Sequence, residues 1–235
     1  MSVWQEGILK TIYEGKTKKI LQEDGKTYFF FKDDVTGKDG VFDPGENQVG
    51  LSIEGSGRAC IAMSKYFFEK FEAENIPTHY ISADVDNRLM EVKPAKVFGQ
   101  GLEVICRFKA TGSFIRRYGK YVEDGDDLNR YVEFTLKDDE RQDPLINEDA
   151  LVLLGILKEG EYDRIKELTR SIAQVIYDDL KARGLEMYDI KLEFGRLEGS
   201  DEVVLIDEVS GGNMRVFKEG EYIEPLRLSD MIVGK

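Results

Sequence analysis

Apolar and polar positions along the chain follow two alternating periods. Over residues 57–75, Ala59, Met63, Tyr66, Phe67 and Phe71 recur at helical spacing, and Ile76-Pro77 ends the run, because the residue before proline is pushed out of the helical region. A second helix is predicted over about 148–157, with Asn147 as its N-cap. The third has the clearest stripe, Ile165, Leu168, Ile172, Val175, Ile176 and Leu180, and Gly184 stands where a C-terminal cap glycine belongs. Elsewhere the pattern shortens to alternation or to brief apolar runs. Lys10–Ile20 carries Gly15 between two mixed stretches and Thr27–Lys32 is rich in strand formers, which together predict a hairpin. Strands are also predicted at Thr78–Ile81, Arg88–Val92, Leu102–Lys109 and Tyr131–Lys137. A further hairpin, Tyr188–Val209, turns at Glu198-Gly199-Ser200, and the tail from Gly211 reads as short strand and loop.

Residues 33–57 are rich in glycine and long for a structureless connection, so they are expected to carry function or short strands. Strands with inserted helices make the class α+β. A smaller β-rich N-terminal lobe, residues 1–82, is expected to pack against a larger one, residues 83–235.

Composition narrows the function classes. At 235 residues, 41% hydrophobic and 34% charged, the chain can build a full core. A net charge of −13 argues against a general nucleic-acid binder but not against a small phosphorylated ligand, which needs only a local basic pocket. No apolar run is long enough for a membrane helix, and the N-terminus does not read as a secretory signal. Cys60 and Cys106 lack metal-ligand spacing, so the expected place is the reducing cytoplasm. With one histidine, His79, neither a zinc site nor a Ser-His-Asp triad is expected, which leaves Lys, Arg, carboxylates and a hard metal.

The C-terminal hairpin is the most informative stretch. Asp189, Lys191 and Glu193 share one strand face, and Ile190, Leu192 and Phe194 share the other, which should pack on the core. The partner Val203–Val209 is apolar until Asp207-Glu208. If the register sets Asp207 opposite Lys191, Asp207 and Glu193 become diagonal neighbours. Two such carboxylates suit an Mg²⁺ bridging nucleotide phosphates. An exposed hairpin face with a Lys–acid pair is the other reading of the spacing.

Three basic stretches accompany it. Lys16 and Lys18 follow Gly15 on one strand face and suit a triphosphate, although a charged surface hairpin has the same pattern and the frame is not a Walker loop. Arg107 and Lys109 share a face and lead to Gly112-Ser113, where a guanidinium, a hydroxyl and a backbone N–H could bind an anion or simply offset nearby acids. Lys137 ends a strand and opens the polar turn Asp138–Glu148, which reads as a loop over a site or as a solvated turn.

Taken in order, Tyr13–Lys19, Met63-Ser64-Lys65, Asn75-Ile76-Pro77-Thr78, Arg107–Ser113, Lys137–Glu148, Asp189–Gly195 and Ile206–Ser210 resemble the SAICAR synthetase family, the phosphoribosylaminoimidazole-succinocarboxamide synthases of purine biosynthesis. The likeness covers roughly residues 10–217. It implies a two-lobed fold with ATP in the cleft, and a ligase that activates the carboxylate of carboxyaminoimidazole ribotide with ATP for attack by the amine of L-aspartate. On the matching positions it implies that Gly15, Lys16, Lys18, Lys137, Glu193 and Asp207 bind ATP, with Glu193 and Asp207 holding Mg²⁺. It further implies that Arg107, Ser113 and Arg215 bind the phosphoribosyl substrate, and that Asp189 and Lys191 stand beside the reacting groups. A homo-oligomer is compatible with all of this.

The departures fall on the substrate side. Glu54-Gly55-Ser56-Gly57-Arg58 replaces a Gly-Lys-Gly turn with an Asn-Asn pair, and Ser210-Gly211-Gly212-Asn213-Met214-Arg215 replaces Ser-Pro-Asp before the arginine. Arg107-Phe108-Lys109-Ala110-Thr111-Gly112-Ser113 replaces Arg-Asn-x-Ala-x-Gly-Ser, and the family's long C-terminal helix is not expected in a sequence that stops at Lys235. A paralogous ligase with another acid or amine, or a kinase-like phosphotransferase, therefore stays open beside the family's own reaction.

Overall fold

A computed structural model describes residues 9–38, 41–42 and 49–234. Strands β1 (Lys10–Glu14), β2 (Lys18–Glu23) and β3 (Lys26–Phe31) run antiparallel. Asp24 and Gly25, both at positive φ (49° and 77°), form the tight β2–β3 turn. Next, β4 (Asp34–Lys38), β5 (Val41–Phe42) and β6 (Val49–Ser52) make a small three-stranded sheet, so the glycine-rich stretch does carry short strands; its residues 39–40 and 43–48 lie outside the described ones. Helix α1 (Ser56–Ala73) follows, and β7 (Tyr80–Asp84) and β8 (Leu89–Val92) complete a sheet of order β1-β2-β3-β8-β7. The expected division after residue 82 falls inside β7, and this sheet ends only at Val92.

The second part begins with β9 (Ala95–Val97) and β10 (Leu102–Lys109). It continues through α2 (Ser113–Tyr118), β11 (Asp127–Leu136), a 3-10 turn at Asp139–Arg141, α3 (Glu148–Leu153) and α4 (Glu161–Ala182). It closes with β12 (Glu186–Leu197), β13 (Val203–Ile206), β14 (Met214–Lys218), β15 (Glu221–Tyr222) and α5 (Pro225–Val233). These strands form an antiparallel sheet of order β11-β10-β12-β14-β15, with β13 and β9 also paired to β12. The α+β class is as expected.

Burial follows the sequence pattern. Ile165, Leu168, Ile172, Ile176 and Leu180 of α4 are buried, and Gly184 at φ 72° ends the helix where a left-handed residue is needed. Asn147 caps α3 by accepting from the Ala150 N–H at 3.0 Å. That helix stops at Leu153 instead of near 157, because the chain turns at Gly155 (φ 68°) and Leu157 bonds back to Leu151. On α1, Phe67, Phe68 and Phe71 are fully buried, and Phe68 stacks on Tyr80 at 5.2 Å. Truncating one of these rings to alanine is worth about 3–5 kcal/mol.

Two helices differ from the sequence reading. α2 has only six residues, too few to display a period. The tail ends in helix α5, whose Leu228 and Ile232 are buried four residues apart and whose Ser229 Oγ donates to the Ala59 carbonyl of α1 at 3.3 Å. The two sheets are also joined directly. His79, just before β7, donates its N–H to the Leu205 carbonyl, and the Leu205 N–H donates to the Pro77 carbonyl, each at 3.0 Å.

Candidate active site

Between the two sheets lies a cavity of about 660 Å³. The first sheet contributes Gly15, Lys16 and Lys18, and the second contributes Lys137, Lys191, Glu193, Asp207 and Glu208. The Gly15 N–H donates to the Lys18 carbonyl at 2.8 Å and closes a tight turn. Lys16 therefore stands in the turn, while Lys18 opens β2; the expected shared strand face is replaced by a turn that aims both into the cavity. Each lysine reaches across. Lys16 pairs with Asp139, and Lys18 with both Asp207 and Glu208.

The register of the C-terminal hairpin differs from the one that would set Asp207 opposite Lys191. Glu193 pairs with Ile206, so Asp207 continues toward Leu192. A one-residue slip would turn its side chain to the apolar face. The strand instead stops at Ile206, and Asp207 adopts φ 69°. This left-handed turn returns the carboxylate to the cavity, where it meets Lys18. Ile190, Leu192 and Phe194 are buried on the opposite face, as their alternation predicts.

Like charges crowd this face. Glu103 and Glu193 lie directly opposite on β10 and β12, an arrangement that repels unless compensated. Lys191 Nζ bonds Glu103 at 2.9 Å and Lys137 Nζ bonds Glu193 at 2.7 Å. Burial, followed by the charge of Asp207, pushes the Glu193 carboxyl up. Burial also pushes Asp207 up, but Lys18 and Lys137 outweigh it and hold that carboxyl below the usual range. Burial alone would lower the Lys137 ammonium, and the Glu193 and Asp207 carboxylates more than reverse this. His79 is buried against the same turn, and burial lowers it to about 4, so it is neutral at pH 7.

Arg107, Ser113, Asp189 and Arg215 do not line the cavity. They form a second cluster on the same sheet, where Arg107 pairs in register with Asp189, and Asp189 with Arg215. Both guanidiniums donate to Asp189 Oδ2 at 2.7 Å. Arg107 also donates to Glu133 at 3.0 and 2.7 Å and to Ser113 Oγ at 2.8 Å. Arg117 adds a 2.5 Å bond to the same Glu133 oxygen. Gly112 fits here because its φ is 55° and because a Cβ would lie 2.5 Å from an Arg215 guanidinium nitrogen.

Of the divergent segments, 54–58 does little in the cleft. Ser56 alone lines it, and Gly57 is required because a Cβ would lie 2.7 Å from the Phe31 and Lys32 carbonyls. Gly211, Gly212 and Asn213 do line the cavity. The sequence reading missed Glu133, whereas Asn213 lies in the segment 210–215 that it set apart. Glu133 stands as a lone acid among the strand residues Tyr131-Val132-Phe134, which is the signal for a buried, paired carboxylate.

Comparison with known proteins agrees with this construction. The SAICAR synthetase family model matches residues 11–229. A phosphoribosylaminoimidazole-succinocarboxamide synthase of Clostridium tetani is 57% identical over 226 residues, covering 96% of this chain and all of the relative, 100%. The enzyme of the same name from Pyrobaculum calidifontis is 34% identical, covering 93% of this chain and 86% of its own. A SAICAR synthetase solved in complex with ADP superposes with a TM-score of 0.82 at 28% identity, covering 95% of this chain and 97% of the other. The synthase structure from Ehrlichia chaffeensis gives 0.81 at 27% identity, covering 96% and 94%. The chain belongs to the SAICAR synthetase family.

Proposed function

We propose that the chain joins the carboxylate of carboxyaminoimidazole ribotide to the amine of L-aspartate at the expense of ATP, as a cytoplasmic ligase of purine biosynthesis. A carboxylate oxygen attacks the γ-phosphorus and ADP leaves; the aspartate nitrogen then attacks the acyl carbon, phosphate leaves and the nitrogen gives up a proton. Activation is needed because a carboxylate is a poor electrophile, and the protein's part is mostly positioning and charge neutralisation. The observation that carries the reading is the meeting, in one cavity, of lysines from the first sheet and paired carboxylates from the second. The lysine contacts match what a triphosphate would replace, and a relative solved with ADP has the same fold.

In this reading Lys16, Lys18 and Lys137, beside the Gly15 turn, hold the ATP phosphates. Glu193 and Asp207 hold Mg²⁺. Two part-buried carboxylates that face one cavity fit an Mg²⁺ shared with a nucleotide, which takes one or two carboxylates besides phosphates. Among the described residues no three His, Cys, Asp or Glu side chains gather as a protein-only cage. The ion would neutralise charge on the transferring phosphoryl group. Ser113 and Arg215 bind the phosphoribosyl group, while Arg107, only 2% exposed, fixes both of them through Asp189 and its own bond to Ser113. Asp189 and Lys191 lie on the strand that connects the two clusters. No helix among the described residues is long and apolar enough to cross a membrane, and both cysteines are free thiols, in keeping with the proposed compartment.

The test is an assay with Mg·ATP, the ribotide and aspartate that follows ADP and the succinocarboxamide together. One product of each per cycle is expected, with no succinocarboxamide when any substrate is omitted. ADP formed only with a different acid or amine would replace this reading with a paralogous ligase, and transfer to a hydroxyl with a kinase-like phosphotransferase.

A further inference from the structure

His79 is the only histidine of the chain, and it is 2% exposed. Its ring meets Phe29 edge-on at 5.4 Å and lies tilted against Phe68 at 5.8 Å. These contacts alone would make it a core filler. Its polar contacts are more specific. The main-chain N–H donates to the Leu205 carbonyl at 3.0 Å, and ring Nε2 lies 3.1 Å from the Asp207 carbonyl oxygen. A carbonyl only accepts, so Nε2 carries the hydrogen and donates it. One residue thus grips two alternate carbonyls at the end of β13.

The second grip falls where strand pairing has stopped. Asp207 sits at φ 69°, in the left-handed region, which aspartate enters more readily than most residues but still less favourably than the right-handed or extended ones. The following carbonyls have their own donors: Asn213 Nδ2 to Glu208 at 2.7 Å, and Ser64 Oγ to Val209 at 3.4 Å. His79 is the donor to Asp207 itself. It also belongs to the segment that enters the first sheet, so the turn on the second sheet is set from the junction between the two.

We propose that His79 is a positioning residue for Asp207, whose peptide it holds in the left-handed turn that aims the carboxylate at the Glu193 side of the cavity. The inference rests on the reading of Asp207 as an Mg²⁺ ligand. A bond of this kind orients a ligand one step removed from the metal, and losing one typically weakens metal affinity or activity about 10–100-fold.

The test compares His79→Leu, which keeps bulk without a donor, with His79→Gln, which restores an N–H at similar reach. The Mg²⁺ concentration for half-maximal turnover, the KM for the ribotide and the melting temperature are measured for each. His79→Leu is expected to raise the Mg²⁺ requirement about tenfold or more, with the ribotide KM unchanged and most of the loss recovered in His79→Gln. A lower melting temperature with an unchanged Mg²⁺ requirement, or equal effects of Leu and Gln, would overturn the assignment. Nitrogen-correlated NMR of the single imidazole in the unmutated protein gives an independent reading. It should report the Nε2–H tautomer, and the Nδ1–H tautomer would contradict the bond. If Asp207→Asn keeps near-parental turnover, the metal reading itself fails. If Asp207→Asn abolishes turnover and His79→Leu leaves the Mg²⁺ requirement unchanged, only the inference about His79 fails.

Discussion

Lys18 and Arg107 both neutralise a carboxylate of the second sheet, yet they are built for different ends. Lys18 reaches across the cleft from β2 to Asp207 and Glu208, with a flexible stem and one compact ammonium. Arg107 lies within β10, is 2% exposed, and spreads its fork over Glu133, Asp189 and Ser113 on three neighbouring elements. In the proposed reading the first pairing exchanges for phosphate oxygens and a cation, which would leave the fold undisturbed. The second cannot be opened without stranding buried carboxylates. The difference teaches where the molecule is preorganised and where it waits for a ligand. The cluster behind the cavity is fixed, and the charge pairs across the cleft are replaceable.

The largest effect should come from breaking the fixed side. Arg107→Met leaves buried Glu133 with Arg117 alone and buried Asp189 with Arg215 alone, and should lower unfolding free energy by about 3–5 kcal/mol in denaturant titration. A near-neutral result would show that the cluster is as replaceable as the cleft pairs.

Asp179 offers a control outside both regions. Tyr66 and Lys70 of α1 bond it at 2.7 and 2.6 Å, Arg183 bonds it at 2.9 Å, and Arg183 also caps the Met231 carbonyl of α5 at 3.1 Å. Burial pushes this carboxyl up, but the bonds from Lys70, Tyr66 and Arg183 outweigh it and hold it below its ordinary 3.8. The stabilisation is thus complete above pH 3.8 and disappears as pH falls through the lower folded value. Asp179→Asn should cost about 2 kcal/mol at pH 7, with catalysis retained at temperatures where the variant is folded. Its stability gap to the parent should close in acid; a gap constant down to the folded pKa would refute the ionised pairing.

Smaller effects sharpen the contrast. Gly112→Ala places a methyl at φ 55° and against Arg215, so a loss of about 1–2 kcal/mol and a raised ribotide KM are expected, with the ATP KM unchanged. Lys18→Met should change stability by about 1 kcal/mol or less, while raising the ATP KM severalfold. If Lys18→Met destabilises as much as Arg107→Met, the division between fixed and replaceable charge is wrong.

Much of this was readable in the sequence where period decides burial. The alternation of Asp189, Lys191 and Glu193 with Ile190, Leu192 and Phe194 gives two faces of β12 outright, and the stripe from Ile165 to Leu180 gives α4. The cap at Asn147 follows from its side chain alone. Period says nothing about strand register, so the Glu193–Ile206 pairing and the left-handed turn at Asp207 could not be read. Contacts across 189 positions, such as Lys18 to Asp207, leave no local signal. A lone histidine reads as uninformative until the turn that it grips is known.

The central claim is tested most directly by a single turnover of Mg·ATP, ribotide and aspartate on the parent chain, Glu193→Gln and Asp207→Asn, with ADP and the succinocarboxamide counted together. The account predicts matched product formation by the parent and loss of both products in each folded variant. Near-parental product formation by both variants would contradict it and move the metal elsewhere in the cleft.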